Sequence, residues 1–182
     1  MLPGLSCARI PCLQDHGWHL GENNEWAKHT AMTRANRAPL LFAHPAHGGK
    51  VSQSFAEFVD IYPTLADLAG LPVPKTCADE AMSQSDINCT EGYSLRPLIE
   101  GGGGGKPAAF SQWPKGGKMG YNIFTAMTDG SQVRYTEWVG YDNARHGPMW
   151  TDDSAGSELY GNLDIILGHC LFVGQYPTSR AV

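Results

Sequence analysis

No apolar run in this sequence approaches the ~20 residues that a membrane helix needs. The longest candidate, 163–173, is interrupted by Asp164, Gly168 and His169, so no spanning helix is expected and no membrane partner. Basic runs are missing too. Lys and Arg number 13 against 18 Asp and Glu, a formal net charge of −5, which argues against nucleic acid as a partner. The start, Met1-Leu2-Pro3-Gly4-Leu5, has neither the basic beginning nor the continuous apolar core of a secretory signal. Taken literally, the chain would stay in the cytosol.

What is present suits a globular protein. The 182 residues are 42% hydrophobic and 17% charged, enough for one domain or one domain with a small appendage. With 22 Gly and 12 Pro, many turns and loops are expected. Five cysteines make an odd count. Cys77 and Cys89 flank a polar loop, which on residues alone reads equally as two free thiols. A glycosylation sequon, Asn88-Cys89-Thr90, lies at the same place, where sugar attachment would compete with any bridge at Cys89.

The pattern along the chain changes once. Residues 1–14 support a central strand poorly, because Arg9 is charged and Pro11 cannot donate to a ladder. They read as a lead-in distinct from the rest of the chain. Residues 22–36 lack periodicity and read as a loop. Leu40-Leu41-Phe42-Ala43 reads as a buried strand, and 55–59 as a second one interrupted by Glu57. A helix is expected from an Asp60 N-cap to a Gly70 stop, burying Ile61, Leu65 and Leu68. Residues 72–92 read as loop, and the five glycines at 101–105 as a linker between subdomains. Beyond it, two-residue alternation predicts strands at 108–113, 121–127 and 133–141, with Asp129-Gly130 in the turn between the last two.

One stretch concentrates chemistry: Asp15-His16-Gly17-Trp18-His19-Leu20-Gly21-Glu22, continuing to Glu25-Trp26-Ala27-Lys28-His29. Asp15 and His16 are adjacent, so a regular strand would point them to opposite faces. A turn at Gly17 can instead swing both toward one point, a common way to hold a metal at the carboxyl end of an α/β sheet. Lys28 is far enough along for the chain to loop back beside the same ion, and such a pair of cations suits a phosphate or sulfate ester. The plainer readings are a solvated loop aspartate, a surface lysine and a core tryptophan. A zinc site from His19, His44 and His47 is disfavoured, since no Cys or Glu lies at useful spacing.

This stretch resembles the late metal-binding segment of the sulfatases. Further matching runs occur in order: Arg37-Ala38-Pro39-Leu40, Asp60-Ile61-Tyr62-Pro63-Thr64-Leu65-Ala66, Gly70-Leu71-Pro72-Val73-Pro74 and Gly92-Tyr93-Ser94-Leu95-Arg96-Pro97-Leu98. After them come Ser111-Gln112-Trp113-Pro114, Met119-Gly120-Tyr121-Asn122, Arg134-Tyr135-Thr136-Glu137-Trp138-Val139-Gly140 and Gly156-Ser157-Glu158-Leu159-Tyr160. The resemblance covers 15–160 and only the carboxyl-terminal third or so of such an enzyme. It implies an α/β, alkaline-phosphatase-like fold: 15–100 from the main domain, 106–160 as a small antiparallel subdomain, and 1–14 and 161–182 unmatched.

The resemblance also implies roles. Asp15 and His16 become ligands of Ca2+, Lys28 holds a sulfate oxygen, and Trp18 and His29 flank the substrate. Cys77 and Cys89 become a disulfide. The expected substrate is a sulfated glycosaminoglycan oligosaccharide, and the expected compartment the lysosome. Sulfatases attack sulfur with formylglycine, made from a Cys-X-Pro/Ala-X-Arg motif. Here Cys7-Ala8-Arg9-Ile10-Pro11 has the wrong order, so the chain alone is expected to be inactive. Two rival readings are a zinc phosphoesterase of the same superfamily, in which an adjacent Asp-His pair binds zinc, and a non-enzymatic binding module.

Overall fold

The structure is a computed structural model that describes residues 11–43, 49–150, 156–161 and 171–174. His44 and His47 lie outside the described residues, as does most of the lead-in and tail. In chain order the strands are β1 (Pro11–Leu13), β2 (His19–Leu20), β3 (Trp26–Ala27), β4 (Leu40–Ala43), β5 (Lys50–Ser52), β6 (Lys75–Thr76) and β7 (Cys89–Thr90). They continue with β8 (Ala108–Lys115), β9 (Lys118–Ala126), β10 (Gln132–Asp142), β11 (Gly147–Met149), β12 (Gly156–Tyr160) and β13 (Leu171–Gly174). The helices are α1 (Thr33–Asn36), α2 (Ile61–Leu68), α3 (Glu80–Ser85) and α4 (Arg96–Ile99). No helix among the described residues is long and apolar enough to cross a membrane. The chain is mixed α/β and separates into two compact units, one of 1–13, 39–106 and 169–182, the other of 14–38 and 107–168.

The first unit holds a four-stranded sheet in the order β1-β4-β13-β5. β4 is the expected apolar strand: Leu40 and Phe42 are buried, and Leu41 and Ala43, alternating with them, are half-buried. β1 pairs antiparallel to it at the sheet edge, which is where a proline is tolerated in a sheet. β13, from the tail that matched nothing in sequence, runs parallel to β4. Leu40 and Phe42 join Leu68, Leu95 and Ile99 in one apolar core, against which Ile61, Leu65 and Leu98 also pack. α2 therefore presents the face its spacing predicts.

Its start differs from expectation. Residues 55–59 are not a strand. Phe55 makes an isolated bridge to Lys106, and Phe58–Asp60 form a 3-10 turn. Nor does Asp60 cap α2 with its side chain. Glu57 and Asp60 form a reciprocal capping box around the 3-10 turn, which satisfies two backbone N–H groups at once. Asp60 is fully buried: Oδ2 accepts from Glu57 N at 2.8 Å, and Oδ1 accepts from Tyr93 N at 2.8 Å and Lys106 Nζ at 2.8 Å. Lys106 also pairs with Glu57. Gly92, just before Tyr93, is required by space: a Cβ there would lie 2.0 Å from the Val59 carbonyl oxygen.

The 72–92 stretch also differs, for it contains α3 and the short parallel pair β6–β7. α3 has no buried face; Asp79 starts it by accepting from Met82 N at 2.8 Å. Cys77 and Cys89 are joined, with S–S 2.06 Å.

The second unit is built on the antiparallel sheet β11-β10-β9-β8, with β12 paired to β10. The two-residue period places Asn122 and Phe124 of β9 with Arg134 and Thr136 of β10 on the buried face. Ser111, Asn122 and Thr136 lie in register across three strands and bond to one another, Thr136 Oγ1 to Asn122 Oδ1 at 2.6 Å and Asn122 Nδ2 to Ser111 Oγ at 2.9 Å. This row satisfies its own polar atoms, as buried ones must be. Residues 22–36 are more ordered than a loop, with a 3-10 turn at Glu22–Asn24, the β2–β3 hairpin and α1.

Candidate functional site

All the sequence-predicted site residues of 15–29 fall within the second unit. What holds them there is a set of backbone contacts. Gly17 N donates to Ala35 O at 2.8 Å. A Cβ on Gly17 would sit 1.8 Å from the Arg34 carbonyl oxygen and 2.5 Å from that of Arg37. Only glycine can approach α1 this closely, so the turn after His16 is fixed by α1 rather than by its own preference. The residues after Lys28 are anchored in turn by Arg134. Its fully buried guanidinium donates from Nη1 to Ala31 O, lies 3.6 Å from the Met32 sulfur and stacks 4.4 Å over the Tyr160 ring. A buried guanidinium with a carbonyl and an aromatic face as partners is a strong tie.

On this frame Asp15 is open, with its side chain 84% exposed, and His16 is 30% exposed. His16 Nδ1 donates to Gly17 O at 2.7 Å, and Nε2 stands 3.4 Å from Asp15 Oδ1. The two neighbours therefore do meet, as the turn at Gly17 allows. Trp18 is 54% exposed, its ring 6.2 Å from that of His16. His29 is exposed and packs its ring 5.9 Å from Trp113 of β8. Lys28 is half-buried. Among the described residues it makes no ion pair with Asp15, whose ion-pair contact is the His16 imidazole.

The hairpin between them is tightly specified. Leu20 N donates to Glu22 Oε2 at 2.7 Å, and this bond, the largest cause, together with the positive charge of Arg34, holds the Glu22 carboxyl below its usual range. His19, Glu22 and Arg134 were not singled out from sequence for these roles, and Gly17 was expected as the turn but not as a close contact with α1. The signal available for Gly17 and Arg134 was their presence in the matching runs. His19 and Glu22 lie in the first of those runs too, but their part in the two-residue hairpin is something that periodicity does not reveal.

Calcium takes six to eight oxygen ligands. One exposed carboxylate and one imidazole do not make such a set, and no group of three His, Cys, Asp or Glu among the described residues could hold a metal. The described residues thus do not fit a calcium ion unaided.

Comparison with known proteins supports the sulfatase family for this segment. The chain is 29% identical to iduronate 2-sulfatase of Mus musculus over 215 aligned residues, which cover 90% of this chain and 38% of that protein. It is 27% identical to iduronate 2-sulfatase of Homo sapiens over 213 residues, with the same coverage of 90% and 38%. A sulfatase of Formosa agariphila is 47% identical over a shorter stretch of 58 residues, 31% of this chain and 11% of that protein. The chain thus spans 38% of the length of the iduronate sulfatases it matches. No protein-family model matches it, and neither does any solved structure.

Proposed function

We propose that this chain is the anion- and metal-holding part of a sulfatase with an alkaline-phosphatase-like fold. In the complete enzyme it would take part in calcium-dependent hydrolysis of sulfate esters on glycosaminoglycans such as dermatan or heparan sulfate, in the lysosome. The observation that carries the reading is the run 15–29, with Asp15 and His16 brought together on a glycine-fixed turn, in a chain similar to iduronate 2-sulfatases over 90% of its length. Asp15 and His16 would be two ligands of the ion, whose remaining oxygens other residues must supply. Lys28 would neutralise a sulfate oxygen, while Trp18 and His29 would line the sugar. The Cys77–Cys89 bridge is in keeping with an oxidising compartment. The sequence holds no Cys-X-Pro/Ala-X-Arg motif from which formylglycine could be made, so the chain alone is inactive on this reading.

The test is a chimera. Residues 15–160 replace the matching segment of human iduronate 2-sulfatase, and sulfate release from a 2-sulfated iduronate disaccharide is followed. Calcium-dependent release is expected in the chimera, and its loss in Asp15→Ala and Lys28→Ala. A folded chimera that releases no sulfate, or that hydrolyses a phosphate ester with zinc, would replace this reading with the phosphoesterase one. Turnover of an aryl sulfate by the purified chain, above its Lys28→Ala control, would refute the claim that the chain alone is inactive.

A further inference from the structure

His19 is fully buried, a rare position for an imidazole, and the nearby Glu22 carboxylate feels its ring electrostatically without hydrogen-bonding to it. It sits directly across the β2–β3 hairpin from Ala27. Its Nδ1 lies 3.1 Å from the Ala27 carbonyl oxygen. A carbonyl can only accept, so Nδ1 carries the proton. Nε2 has no hydrogen-bond partner within the described residues. Ala27 itself adopts φ +67°. That left-handed conformation costs free energy in any residue with a Cβ, and it persists only where surroundings enforce it. The peptide so enforced is the one that leads into Lys28.

We infer that His19 is a positioning residue: its imidazole clamps the left-handed Ala27 peptide and so sets the direction in which the Lys28 side chain leaves the hairpin. The clamp rests on the proposed function only in giving Lys28 an anion to meet; it is otherwise a property of the hairpin. The alternative, a merely space-filling imidazole, leaves two facts without cause. One is the strained alanine in place of the glycine that such a φ favours. The other is the burial of a second ring nitrogen with nothing to bond, a penalty an apolar side chain of the same size would avoid. Both are explained if the Nδ1 bond is what this position is kept for.

The experiment compares three variants of the full chain, labelled for NMR. His19→Asn puts a side-chain N–H donor near the Nδ1 position. His19→Gln carries its donor one bond further, near Nε2. His19→Leu fills the space without a donor. The readouts are the Lys28 backbone and side-chain resonances and the acetylation rate of Lys28 by mass spectrometry, with amide exchange in β9 and β10 reporting whether the sheet is intact. His19→Asn is expected to keep the Lys28 resonances in place and the acetylation rate within about twofold, whereas His19→Gln and His19→Leu shift both, the rate by at least about threefold. If Asn and Gln behave alike, or if Leu leaves Lys28 unchanged, the clamp does not exist. Should His19→Leu fail to fold, the Asn and Gln pair still decides. A separate titration of the wild-type chain with inorganic sulfate keeps the two ideas apart. Lys28 resonances that depend on His19 but ignore sulfate would uphold the clamp and weaken the proposed function.

Discussion

Asp60 and Asp15 are both carboxylates in sequence runs that match sulfatases, yet the two units use them in opposite ways. Asp60 is fully buried, and both its oxygens accept bonds, from Glu57 N, Tyr93 N and Lys106 Nζ. Asp15 is open to solvent, and its one ion-pair contact among the described residues is the adjacent imidazole at 3.4 Å. A fully buried carboxylate whose two oxygens both accept bonds from its own chain is not open to a ligand. One left with free oxygens can. The difference separates an acid that builds the fold from an acid available for chemistry, although the two look alike in sequence.

Substitution tests the separation most directly. Asp60→Ala would leave Lys106 without its fully buried partner and two backbone N–H groups, those of Glu57 and Tyr93, without their acceptor. The expected loss is about 3–5 kcal/mol, the range for breaking a buried ion pair, read as a lower urea midpoint at unchanged slope. Asp15→Ala is expected to change stability by no more than about 0.5 kcal/mol. Equal losses from the two would erase the distinction.

The same network predicts a pH response. Burial alone would lower the Lys106 pKa, but the hydrogen bonds and charges of Asp60 and Glu57 outweigh it, and the net shift is upward. A pKa raised by folding gives stability that is complete below the unfolded value of ~10.4 and is lost as pH rises through the folded value. Stability of the wild-type chain should therefore decline in the alkaline range through a component that Lys106→Met abolishes. Persistence of that component in the variant would place its origin elsewhere.

Within the second unit, Arg134→Met removes the donor to Ala31 O and the stacking on Tyr160. About 3 kcal/mol is expected, from a charged hydrogen bond and a buried cation–π contact together. Arg134→Lys should recover little of it, because an ammonium cannot reproduce the planar fork. Here the two units would resemble each other, both depending on one buried cation. Replacing Cys77 and Cys89 by serine should cost a similar amount, about 3 kcal/mol, since the bridge closes a loop with a separation of 12 residues. α3 inside that loop has no buried residue, so its amides should exchange faster in the serine variant.

How much of this the sequence discloses depends on which interaction makes each element. β8, β9 and β10 are visible because their residues alternate, and α2 is visible because Ile61, Leu65 and Leu68 share a face. α3 is invisible to periodicity, because nothing in 80–85 is buried and Asp79 alone starts it. Residues 55–59 mimic a strand in composition, but the Glu57–Asp60 capping box turns them into a 3-10 start. At the site, the meeting of Asp15 and His16 is legible from adjacency and the following glycine. The reason for that glycine is not, because it depends on carbonyls of residues 34 and 37. The exit of Lys28 is set by the sign of φ at Ala27, which composition does not encode.

The smallest effect concerns Glu22, whose carboxylate, unlike that of Asp15, is committed to a backbone donor, Leu20 N at 2.7 Å. That bond is the largest cause holding the Glu22 carboxyl below its ordinary range. A pKa lowered by folding gives stability that is present above the unfolded value and is lost as pH falls through the folded one. Protection of the Leu20 amide in hydrogen exchange, corrected for intrinsic rates, should therefore be full at neutral pH and fade below the ordinary carboxylate range. Glu22→Gln keeps an oxygen acceptor but cannot titrate. Its Leu20 amide should be less protected at neutral pH, and that protection should not change on acidification. Asp15→Asn, which removes no backbone partner, should leave the same amide untouched. If Asp15→Asn altered Leu20 exchange as much as Glu22→Gln does, the exposed aspartate would be part of the hairpin's own structure, and its oxygens would no longer count as free for an ion.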